Sequence, residues 1–188
     1  MTTTTNKNTV ISMAARMMLV VAFAAGCAPN AGNEVKHWEN HQKAAAEFKL
    51  AYPGFGVVID AKIAAAGAAF AAATKETDEA KKAEQMKAAN AIVAEILSPL
   101  NEIKYKGESL RGVSEKISAL KVGKGDAGRQ SEAASAARSE LAKVQAALAA
   151  ARPATLEEAV AALRPQISAL IAAKGAADRA LAALSKKK

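Results

Sequence analysis

Thr155-Leu156-Glu157-Glu158-Ala159-Val160-Ala161-Ala162-Leu163-Arg164-Pro165-Gln166-Ile167-Ser168-Ala169-Leu170 reads as the start of a helix followed by a helical stripe. Thr155 and Glu158 make a capping box, in which the threonine hydroxyl accepts from a first-turn N–H while the glutamate reaches back to the cap. Leu156, Val160, Leu163, Ile167 and Leu170 then recur at 4-3-4-3 spacing, and Ala177, Leu181 and Leu184 stay on the same heptad. Pro165 should kink this helix, yet the stripe keeps phase across it. A stripe held for so long predicts packing against a partner helix, in this chain or another.

The same pattern recurs toward the N-terminus. Leu141, Val144 and Leu148 form a stripe closed by Arg152-Pro153. Leu110, Val113, Ile117 and Leu120 make another, followed by a flexible loop at Gly123 to Gly128. Met86, Ile92, Val93, Ile96, Leu97 and Leu100 make a third, which Pro99 is expected to end or kink, after a charged stretch from Glu79 to Lys87. From Val57 to Ala73 the chain is apolar nearly all round, which predicts a central packed helix; the competing reading is a re-entrant or membrane-lying segment. Tyr52-Pro53-Gly54-Phe55-Gly56 stops the preceding helix, with rings expected to pack over a bundle end or, alternatively, to line a small ligand groove. That first helix is expected from an Asn33 N-cap to about Ala51, burying Val35, Trp38, Phe48 and Leu50.

Composition agrees with helices. Of 188 residues 50 are Ala, so more than half of the 51% apolar content is a side chain of one methyl group. Aromatics at 4% and scarce Val/Ile/Thr runs exclude a β-sandwich or barrel, and no buried strand runs alternate with helices as an α/β enzyme requires. The expected fold is therefore all-α, an Ala-rich antiparallel bundle of about five helices. A formal charge of +8 favours anionic partners, but the basic residues are mostly interleaved with acids and stacking platforms are missing, so no nucleic acid is implied.

The N-terminal residues form a separate unit. A polar segment with Lys7 and Arg16 precedes a short apolar run, Met17-Met18-Leu19-Val20-Val21-Ala22-Phe23-Ala24-Ala25, far short of the roughly 20 residues of a membrane span. This is the layout of a secretory signal, starting at Met1 or at Met13. The run ends in Ala24-Ala25-Gly26-Cys27, which resembles the lipobox of bacterial lipoproteins, with Ala24 where Leu is most common. The resemblance implies that residues 1–26 are removed, that Cys27 carries acyl chains, and that 27–32 is a tether to a domain at 33–188. Ala28, where an Asp would retain the protein in the inner membrane, implies the inner leaflet of the outer membrane facing the periplasm. Removing the signal leaves 24 Lys+Arg against 18 Asp+Glu. Cys27 is the only cysteine, which excludes an intramolecular disulfide.

Candidate sites are few. Glu34, His37 and His41 share one face of the first helix, and imidazoles at i, i+4 can chelate Zn²⁺, Cu²⁺ or Ni²⁺ with Glu34 adding oxygen. Glu34-x-x-His37 matches half of a di-iron bundle motif, but no second Glu-x-x-His follows. Gly123-Lys124-Gly125-Asp126-Ala127-Gly128 fits G-x-G-x-x-G literally, yet a helix precedes it where a nucleotide fingerprint needs a strand, so it reads as a stop and a turn. Lys186, Lys187 and Lys188 complement a helix C-terminal dipole. With Cys27 and the heptads they also resemble the murein lipoproteins of enteric bacteria, which implies cell-wall contact through these lysines, although Pro53, Pro99, Pro153 and Pro165 interrupt any rod.

No nucleophile–base pair is recognisable, so an enzyme and a cofactor are not expected. The expected function is a non-catalytic structural or protein-interaction module of the cell envelope, with an envelope protein or a second copy as partner. The alternatives are a ligand or metal carrier using the first helix, a peptidoglycan tether through the C-terminal lysines, or a small accessory subunit of a secretion or efflux assembly.

Overall fold

A computed structural model describes residues 30–186. The expected signal, Cys27, Lys187 and Lys188 lie outside the described residues. Within them the chain is an all-α bundle of five helices: α1 (Ala31–Ala51), α2 (Gly56–Ala73), α3 (Glu79–Ala119), α4 (Ala127–Ala150) and α5 (Leu156–Ser185). Two short 3₁₀ turns, Pro53–Phe55 and Lys124–Asp126, precede α2 and α4.

The centre of the bundle is α3. Its 41 residues extend about 60 Å at 1.5 Å per residue, and all four other helices pack on it. Two rows with heptad spacing explain this: Ala89, Ile96, Ile103, Leu110 and Ile117 on one, Met86, Val93 and Leu100 on the other, all buried. Pro99 neither ends this helix nor divides it, so the two stripes expected on either side of it belong to one element. Pro165 likewise lies inside a continuous α5. Each proline deprives the carbonyl four residues earlier of its donor, but those carbonyls belong to Glu95 and Ala161, both at exposed positions where water can replace it.

Consecutive helices run up and down. Glu34 meets Asn90 and Glu47 pairs with Lys104 (3.7 Å), so α1 is parallel to α3. Lys62 pairs with Glu95 while Phe70 clusters with Met86, so α2 runs against it. Ser114 Oγ donates to the Ala134 carbonyl at 3.1 Å across the α3–α4 seam, and Gln130 Nε2 donates to the carbonyls of Ile117 (2.7 Å) and Leu120 (2.8 Å). Those last contacts satisfy acceptors that the end of α3 would otherwise leave open.

On α5, Leu163, Leu170, Ala177 and Leu184 are buried at seven-residue intervals. The second row, Val160, Ile167 and Leu181, is half-buried and is interrupted by Lys174, which pairs with Asp178 at 2.6 Å. The capping box forms with a small difference. Thr155 Oγ1 accepts from the Glu158 N–H (3.2 Å), but the Glu158 carboxylate reaches one residue further back, to the Ala154 N–H (2.7 Å).

Two expectations need correction. The first helix starts earlier, with Asn30 as N-cap accepting from the Gly32 N–H (2.8 Å), so Ala31 and Gly32 belong to α1 and not to the tether. Trp38 and Phe48 turn inward as expected, but Val35 is 37% exposed and Leu50 86% exposed, and Glu34, His41 and Ala45 take the remaining inward positions. The second correction concerns α2, which is a flanking helix rather than the central one. It is long and apolar enough to cross a membrane by length and composition, but only Val58, Ile59, Ala66, Phe70 and Ala73 are buried, and Val57, Ala61, Ala64, Ala65 and Ala68 are exposed. An alanine gains little from burial, so an Ala-rich surface does not drive a helix to the middle of a bundle.

Candidate functional site

The start of α1 holds the expected metal ligands, and α3 supplies a residue that the sequence did not single out. Asn90 is 5% exposed, and its Nδ2 donates to both the backbone carbonyl (3.0 Å) and the carboxylate Oε2 (2.9 Å) of Glu34. This amide ties the first turn of α1 to the middle of the Met86–Val93 stripe. Its Oδ1 is buried without a hydrogen-bond partner. His41 lies half-buried in the same seam. Burial holds its pKa below the usual histidine value, His37 lowers it further, and Glu34 acts in the opposite direction. Glu34, His37 and His41 are therefore close enough to sense one another. Among the described residues no three His, Cys, Asp or Glu side chains gather where they could hold a metal ion. The Glu34 carboxylate is instead engaged by Asn90.

The aromatic break at 52–56 does close the bundle. Phe55 is fully buried, and Tyr52 stacks on Phe48 with ring centroids 6.2 Å apart. Burial raises the Tyr52 hydroxyl above the ordinary tyrosine range, against the opposing pull of Lys104. A Cβ on Gly54 would lie 1.9 Å from the Ala151 carbonyl oxygen, so the two corners of the chain touch at a point only glycine allows. At the other end of α2, Trp38 stacks on Phe70 with centroids 5.3 Å apart and lies over Gly67.

A groove of about 680 Å³ lies between α4 and α5. Ala133, Ala136 and Ala137 form one wall and Ala169, Ala173 and Ala176 the other, with Arg129, Glu132 and Glu140 at the rim. Two facing rows of single methyl groups cannot fill the space between helix axes, and the gap remains as a groove. The sequence carries the signal, since alanines repeat at three- and four-residue spacing along both helices, but they read equally well as a close-packed seam.

The remaining candidates take structural positions. Lys186 is exposed and caps α5, its N–H donating to the Ala182 carbonyl. The glycine-rich segment forms the turn expected of it: Gly123 has φ −67° and precedes the 3₁₀ turn, in which Asp126 pairs with Arg129. No family model matches the chain, and no curated protein or solved structure matches it at a significant level.

Proposed function

We propose that the chain is a lipid-anchored, non-catalytic interaction module of the cell envelope, held at Cys27 on the periplasmic face of the outer membrane and presenting helix faces to a partner protein. The observation that carries the interaction is the alanine-walled groove between α4 and α5, about 680 Å³ with a charged rim at Arg129, Glu132 and Glu140. Its walls let another helix approach closely, because a methyl group keeps backbones near one another, and the rim offers both signs of charge to fix orientation. The anchor rests on Ala24-Ala25-Gly26-Cys27 following a basic segment and a short apolar run. Two or three acyl chains at about 0.8 kcal/mol per buried CH₂ suffice for stable attachment.

Mass spectrometry of the protein taken from its native envelope tests the anchor. Acyl masses on a chain beginning at Cys27 are expected, and an unmodified Cys27 thiol overturns the anchor. Photo-crosslinkers placed at Ala136 and Ala173 test the groove in the same cells. A single crosslinked protein, lost when the exposed wall residue Ala176 is changed to Glu, is expected; crosslinks unaffected by that change reject the groove as the docking face.

A further inference from the structure

Two uncharged surfaces of the bundle lie without a partner helix, the groove between α4 and α5 and the outward face of α2. On that face Val57 (67% exposed), Ala61, Ala64, Ala68 and Ala71 follow one another at 4-3-4-3 spacing, all of them exposed. The charges within α2 lie off this row, since Asp60 pairs with Lys49 of α1 and Lys62 with Glu95 of α3. A helix this apolar is ordinarily covered on most sides, yet only 28% of its most apolar stretch is buried.

Both surfaces open on the same side of the molecule. Phe70 and Ala73 of α2 cluster with Met86 and Ala89 of α3. Ala134 and Leu141 of α4 lie against Ser114 and Gly107, which continue the heptad row of Met86. The helices α2 and α4 therefore follow one another along one side of the hub, and the corners between them meet where Gly54 touches Ala151. No α3 residue lines the groove, so it opens away from the hub, as the bare face of α2 does.

We infer that the chain forms a two-fold dimer in which α2 of each copy lies in the α4–α5 groove of the other. This names the partner of the docking face proposed above; it rests on that groove and not on the acyl anchor. Three observations select a second copy. Ridge and groove match in length: Val57 to Ala71 spans about 21 Å and Arg129 to Glu140 about 17 Å at 1.5 Å per residue. Methyl groups on both sides let the helices approach closely and fill the gap that alanine walls leave. The placement of the two surfaces on one side is the second observation. Rotation by 180° about an axis through the Gly54–Ala151 corner exchanges them, so one operation covers both surfaces in both copies and closes the assembly. It also doubles the helix-in-groove contact, which moves the buried area toward the about 1,600 Å² of a standard interface.

Charge is the third. On the rim, Arg129 pairs with Asp126 and Glu140 with Lys143, which leaves Glu132 as the unpaired charge among the described residues. The two-fold axis sets α2 antiparallel to α4 of the other copy. That orientation carries Lys75, which continues the exposed row just past the end of α2, to the start of α4 beside Glu132. Lys75 likewise has no side-chain partner within the described residues.

Sedimentation equilibrium of the purified full-length protein tests this, and a dimer is expected. Ala68→Glu on the ridge and Ala176→Glu in the groove should each give a monomer with unchanged helical circular dichroism, because both positions are exposed. Lys75→Glu should weaken the dimer at least about fivefold, and adding Glu132→Lys to it should restore the affinity, a rescue that misfolding would not give. A photo-crosslinker at Ala136 should attach to residues 57–75 of a second copy. A monomer throughout, or a dimer indifferent to both Ala68→Glu and Ala176→Glu, overturns the inference. A monomer that still crosslinks from Ala136 to a different envelope protein overturns the second copy alone and leaves the groove as a docking face; a monomer with no crosslinks removes both.

Discussion

The seam that α1 makes with α3 and the seam that α5 makes with α3 solve the same packing problem with different residues. Along α5 the contact is Leu163, Leu170, Ala177 and Leu184, apolar and repeated every seven residues. Along α1 the inward row is Glu34, Trp38, His41, Ala45 and Phe48, in which two of five positions are ionisable and one polar bond network runs through Asn90. The α5 seam derives its strength from area removed from water. The α1 seam gains less area but more selectivity, since an amide that must meet Glu34 fixes where α1 sits along α3.

The largest change to that contrast should come from Leu170→Ala. Deleting a fully buried leucine in the apolar seam should cost about 2–5 kcal/mol and lower the urea midpoint of the whole bundle in one transition. Next comes Gly54→Ala, where the two corners meet. A Cβ there lies 1.9 Å from backbone oxygen, so either strain or separation of the corners should cost about 1–3 kcal/mol, readable as a lower melting temperature. Gly112→Ala acts in the other direction. It lies inside α3 with open space around an added methyl, so it should raise stability by about 0.5–1 kcal/mol.

The smallest effect distinguishes the seams most directly. Because burial lowers the His41 pKa in the folded protein, the unfolded chain takes up a proton first as pH falls. The stability associated with neutral His41 is therefore fully present above the ordinary value of 6.5 and declines as the pH drops below it. Protection factors of α1 amides, which remove the intrinsic pH dependence of exchange, should fall over that window while those of α5 amides stay constant. His41→Gln should remove the difference, and α5 responding as strongly as α1 would contradict the assignment to one seam.

These two seams also mark how far the sequence could be read. The α5 stripe, the stripes of α3 and α4, the breaks at 52–56 and 152–155, and the capping box all follow from spacing and chain chemistry, and they lead to the five-helix bundle. On α1 the inward Trp38 and Phe48 were legible, but the rest of that face was not, because Val35 and Leu50 outweigh Glu34 and His41 on any hydrophobic scale. Only the position of Asn90 on α3, visible in sequence as a polar residue inside an apolar stripe, makes the polar facing favourable. The outward alanines of α2 misled in a related way: they count as apolar in the pattern, although exposing them costs little. The candidate metal ligands were correctly placed on one helix, but spacing along α1 carried no information about a competitor for Glu34 on α3. The alanine groove was not legible, since spacing along α4 and α5 does not say how closely the two neighbours pack.

The hub position of α3 also orders the way the chain gathers itself. Its neighbours in sequence, α2 and α4, reach it by short turns, whereas the Glu34–Asn90 contact closes a loop of 56 residues. Closing a long loop costs entropy before any contact offsets it, so the contacts of α3 with α2 and α4 come at the lowest entropic cost, and those with α1 and α5 at a higher one. The helices at the two ends of the described chain, α1 and α5, are therefore the ones whose hold on the hub must offset the largest loss of chain freedom.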